Sequence, residues 1–64
     1  MQIALRLDPK DINYFNRIME GYEYLGMVST LDRKAGLVVV RTTADFADEV
    51  RAVLAHLDVP FSYA

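Results

Sequence analysis

The sequence contains no cysteine and no tryptophan, and only two prolines and three glycines. Without cysteine no disulfide stiffens the chain, and thiolate metal sites and iron–sulfur clusters are excluded. With so few glycines and prolines, each one marks a particular turn or boundary. A basic excess is missing as well. Nine acidic residues against seven basic ones give a net charge of −2, which argues against general nucleic-acid binding through a phosphate-neutralising face. No apolar run approaches the roughly 18 residues of a membrane-spanning helix. The opening MQIALRLDPK lacks the basic and apolar regions of a secretory signal. A soluble cytoplasmic protein with no membrane and no nucleic-acid partner is the expectation.

What the sequence does have is apolar residues, 53% of a 64-residue chain. That share is high where most residues must lie at or near the surface. It points to a well-supplied core, or to apolar surface kept for a partner. No linker, repeat or low-complexity stretch divides the chain, so residues 1–64 are expected to form a single domain.

The organising stretch is residues 24–41, YLGMVSTLDRKAGLVVVR. Two runs rich in β-branched and apolar residues, 27–31 and 37–41, flank the polar turn Asp32-Arg33-Lys34-Ala35-Gly36. That turn ends in the residue type free to take positive φ, so a β-hairpin is predicted. Before it, residues 2–7 alternate, with Ile3, Leu5 and Leu7 on one face and Gln2, Ala4 and Arg6 on the other. At Asp8-Pro9 the period changes. Asp8 suits an N-cap, Pro9 suits the first helical position, and Asp11 adds charge favourable to the helix dipole. Ile12, Phe15, Ile18, Met19 and Tyr22 make one helical stripe, and Gly21 is expected to end that helix as a C′ residue.

After the hairpin, Thr42, Thr43 and Asp45 are candidate caps for a second helix, with Asp48 and Glu49 near its start. Its stripe is Phe46, Val50, Val53, Leu54 and Leu57. Val59, Phe61 and Tyr63 alternate as a last strand, and Pro60 assigns it to a sheet edge. Strand, helix, strand, strand, helix, strand is a βαββαβ order. With both helices on one face, the predicted architecture is an α+β ferredoxin-like sandwich whose antiparallel sheet runs 4-1-3-2. The other sheet face is left open.

The hairpin register decides what that open face carries. A turn at 32–36 sets Leu31 opposite Leu37, Ser29 opposite Val39, and Met27 opposite Arg41. Arg41 is costly to bury, so its set belongs on the open face. Val28, Thr30, Val38 and Val40 then face the helices. The candidate self-association surface is Ala4, Met27, Leu31, Leu37 and Val39, rimmed by Gln2, Arg6 and Arg41. A bulge at Gly36 would exchange the two sets.

Other candidates for chemistry have structural explanations close at hand. His56, the only histidine, lies near the end of the second helix, off its stripe, with no nucleophile nearby in sequence. Asp8 with Asp11, and Asp45 with Asp48, have i, i+3 spacing, but both pairs open helices where caps and dipole account for them. No EF-hand, HExxH, phosphate-cradling or nucleophile-elbow sequence is present, so no metal, cofactor or catalytic residue is assigned. Tyr14, Tyr22 and Tyr24 gather around the connection 21–26, where they could form a ligand-contacting rim or simply pack. RNA-binding sheets of this topology stack bases on aromatics of the two central strands. Residues 2–7 and 37–41 contain none.

Over most of its length the chain resembles a small uncharacterised bacterial family, especially in Asp8-Pro9, Glu20-Gly21-Tyr22, Leu25-Gly26 and Thr30-Leu31-Asp32. Its layout is also similar to ACT domains, ferredoxin-like modules that bind amino acids inside or beside enzymes. That likeness implies ligand positions at Asp8, Pro9 and Lys10 with Gly21, Tyr22, Leu25 and Gly26, commonly where two copies meet. The leading expectation is a non-enzymatic module that forms a homodimer or larger homo-oligomer and binds a small metabolite or a protein partner. The alternatives are a structural or regulatory subunit of a larger complex, and a small enzyme of ferredoxin-like topology.

Overall fold

The computed structural model describes all residues from Met1 to Ala64. Strand β1 (Gln2–Leu7) buries Ile3, Leu5 and Leu7 on one side and exposes Gln2 and Arg6 on the other, as its alternation requires. The Asp8 side chain accepts a hydrogen bond from the Lys10 backbone N–H at 3.1 Å and so caps the chain's first turn. That turn (Pro9–Asp11) is a tight 3-10 turn with Pro9 at its start, and it leads directly into α1 (Ile12–Glu20). Ile12, Phe15 and Met19 are the buried part of the α1 stripe.

The hairpin comprises β2 (Met27–Asp32) and β3 (Leu37–Arg41). Gly36 has φ +73°, as expected of the residue closing the turn, and its carbonyl accepts a bond from the Leu7 N–H at 2.8 Å. Helix α2 (Ala47–Ala55) and the short β4 (Phe61–Tyr63) complete the chain. The sheet order is β2-β3-β1-β4, which is the expected 4-1-3-2 order read from the other side. The three pairings are antiparallel, and the arrangement is α+β with a ferredoxin-like layout.

One core lies between the sheet and the helices. It joins Ile3, Leu5 and Leu7 of β1 and Val38 and Val40 of β3 to Phe15 of α1 and Val50 and Leu54 of α2, among others. The expected division of faces holds. Val38 and Val40 point to the helices, while Met27 stands opposite Arg41 and Ser29 opposite Val39.

Three local expectations are corrected. Leu37 stands opposite Asp32 rather than Leu31, because a bulge between Thr30 and Asp32 takes up one residue. The Asp32 carboxylate accepts the Ala35 N–H at 3.1 Å, which holds Asp32 at the mouth of the turn. Gly21 ends α1 with φ −70°, so it is not the left-handed C′ residue expected. Finally, neither Thr42, Thr43 nor Asp45 caps α2 through its side chain. The Thr42 N–H instead donates to the Met1 carbonyl at 2.9 Å and its hydroxyl donates to the Leu25 carbonyl, fastening three chain segments together.

Candidate functional site

Alternate residues of three strands build the open face. Gln2, Ala4 and Arg6 of β1 stand opposite Arg41, Val39 and Leu37 of β3, and beyond β3 lie Met27, Ser29 and Asp32 of β2. Val39 is only 2% exposed although it is outside the helix-side core. Its neighbours on the open face already enclose it. Ala4, Ser29 and Leu37 are half-buried. The freely exposed apolar side chains are on β2, with Met27 at 73% and Leu31 at 57%. Arg41 and Gln2 mark one end of the face, and Arg6 and Asp32 the other.

On the opposite side of the molecule, a groove of about 520 Å3 runs between the helices. Half-buried Ile18, Val53 and Leu57 form its apolar walls, and Tyr14, Tyr22 and His56 add polar tips. Asp58 follows α2 and reaches back toward α1, where its carboxylate accepts the Tyr14 hydroxyl at 2.8 Å. That bond favours the protonated phenol, so the Tyr14 pKa is raised above the ordinary tyrosine value, helped by the carboxylate's charge. The bond is therefore in place below the ordinary tyrosine pKa and is lost as pH rises through the raised one. Following phenolate absorbance with pH should show Asp58→Ala lowering the pH at which Tyr14 ionises. An unchanged titration would mean that Asp58 does not hold the phenol.

Over residues 5–59 the sequence matches the family described as a domain of unknown function (DUF4911). The chain belongs to that family. The match starts within β1 and takes in both helices and the whole hairpin, ending just before Pro60. No curated protein and no solved structure matches the chain. No helix of this DUF4911 domain is long and apolar enough to cross a membrane.

The DUF4911 domain separates the two halves of the predicted ligand site. Asp8, Pro9 and Lys10 follow the end of β1, near the hairpin turn, whereas α1 carries the chain back so that Gly21 to Gly26 lie by the start of β2. No groove is lined by residues of both sets. Tyr22 lines the interhelical groove, and Leu25 is buried. Gly26 passes so close to β3 that an added Cβ would stand 2.4 Å from the Arg41 carbonyl oxygen. Close packing therefore explains this glycine. The tyrosines also part. Tyr14 and Tyr22 face the interhelical groove, while Tyr24 joins Met27 and Phe46 around a depression beside Arg41.

Among the remaining candidates, His56 caps the end of α2 and is exposed. Asp8 is occupied as a cap, and exposed Asp48 pairs with Arg51 at 3.4 Å. No three histidine, aspartate or glutamate side chains gather as a metal-binding group in this DUF4911 domain. Sequence reasoning missed the Tyr14–Asp58 bond, whose partners are 44 residues apart, and the sequence carries no signal for it.

Proposed function

We propose that this domain is an interaction module that works as a homodimer, with the open sheet faces of two copies stacked together. The carrying observation is the exposure of Met27 and Leu31 on and beside a sheet face that no helix covers. Apolar surface gains about 25 cal/mol per Å2 when a partner covers it.

The two faces stack about a two-fold axis, so that each copy presents the same surface to the other, which leaves the helix layer and its groove facing outward.

Val39 is a poor probe of this surface, because a polar substitution at an enclosed position would disturb folding. The exposed β2 positions are better. Light scattering of wild type at tens of micromolar should give a dimer. The double variant Met27→Lys, Leu31→Lys should give a monomer with an unchanged circular dichroism spectrum. A monomeric wild type refutes the stacked dimer, and a double variant that stays dimeric removes these side chains from the interface.

A further inference from the structure

The two borders of the sheet are unlike. Strand β4 is three residues long and directly follows Pro60, which has no N–H to offer a ladder. Strand β2, MVSTLD, is six residues long and contains neither proline nor lysine. It pairs only with β3, and no residue from 27 to 32 makes a backbone hydrogen bond outside that ladder. No side chain bonds to its backbone either. A row of N–H and C=O groups is therefore left without a protein partner, which is the form of edge that templates an added strand.

Beside that border a groove of about 310 Å3 runs between β2 and α1. Met19, Val28 and Thr30 contribute to its walls, along with Glu20 and Glu23. No basic residue lines it, and neither glutamate is in an ion pair. The groove is thus acidic along an unpaired strand edge.

We propose that the β2 edge accepts an extended basic segment of a partner protein as a fifth strand. Side chains of such a strand alternate between faces. Those on the helix side meet Glu20 and Glu23 and are basic. Those on the other side continue the open face beside Met27 and are apolar. Main-chain bonds supply the attachment and the groove supplies the preference in side chains. A second copy of β2 is the poorer occupant. Its residues on the groove side, Val28 and Thr30, would offer no basic side chain to Glu20 and Glu23.

This edge borders the stacked faces, and the test keeps the two apart. The probe is a labelled six-residue peptide of alternating valine and lysine, with two controls. One control carries N-methyl groups on alternate backbone nitrogens, and the other has glutamate in place of lysine. Fluorescence anisotropy should show binding of the probe and neither control. Amide resonances of residues 27–32 should shift in step with it. The variant Glu20→Lys, Glu23→Lys, altered only at exposed positions, should bind about tenfold more weakly. A probe that fails to bind, or binds equally well when N-methylated, overturns the added strand. In the Met27→Lys, Leu31→Lys variant, which does not stack, amide shifts of β2 that depend on protein concentration without peptide assign the edge to a second copy and overturn it too. Light scattering of the same samples reports the stacked dimer independently.

Discussion

Gly36→Ala is expected to remove a large part of the stability available to this chain. Gly36 sits at φ +73°, and a Cβ there would stand 1.7 Å from the Leu7 carbonyl oxygen. The left-handed conformation alone costs an alanine about 1–2 kcal/mol. The overlap adds to this, because backbone rather than a flexible side chain must move. Relief by shifting β1 is obstructed, since the Leu7 N–H is bonded to the Gly36 carbonyl at 2.8 Å. A total loss of about 4 kcal/mol or more follows. At about 0.05–0.15 kcal/mol per residue, a chain of this size has only about 3–10 kcal/mol to lose. Gly21→Ala is the matched control. Its φ is −70° and an added Cβ meets nothing nearer than the Ile18 carbonyl oxygen at 3.4 Å. That variant should be as stable as wild type or gain about 0.4–1 kcal/mol. Urea unfolding followed by circular dichroism separates the two, and a native-like Gly36→Ala protein would show that the turn does not press on β1.

The second large effect is expected at Phe15. It is the largest fully buried side chain, carried by α1 into the core formed with β1 and β3. Phe15→Ala removes the ring and leaves a cavity that the surrounding valines and leucines fill only in part. The expected loss is about 3–5 kcal/mol, enough to make folding marginal. Tyr24→Ala, at a position 66% exposed, should change stability by less than about 0.5 kcal/mol. The measurement is again the urea midpoint. A Phe15→Ala loss below about 1 kcal/mol would mean that α1 is not docked on the sheet as described.

Much of this architecture is legible in the residues. The alternation of Ile3, Leu5 and Leu7, the switch at Asp8-Pro9, and the turn closed by Gly36 are local signals. Local geometry carries them out in the fold. Pro60 likewise places its strand at a border. What was not legible depends on competition between neighbours or on distant partners. Asp32 both ends the strand, paired with Leu37, and turns its carboxylate to the Ala35 N–H, and the extra residue is taken up at Leu31. Thr42 has the composition of a cap, but Met1 and Leu25 claim its N–H and hydroxyl. Periodicity places Val39 on the open face correctly, yet says nothing of how fully its neighbours enclose it. The candidate site is therefore legible as a face, while the weight of its exposed surface on β2 emerges only in three dimensions.

The unequal borders of the sheet also bear on polymerisation. A fibre grown through sheet borders alone needs both borders of each molecule to pair with a neighbour. Here the opposite border is β4, whose three residues and preceding Pro60 give an incoming β2 almost nothing to continue. Growth by repetition therefore has no second step. A strand taken up at the β2 edge is thus not passed on through the opposite border of the sheet.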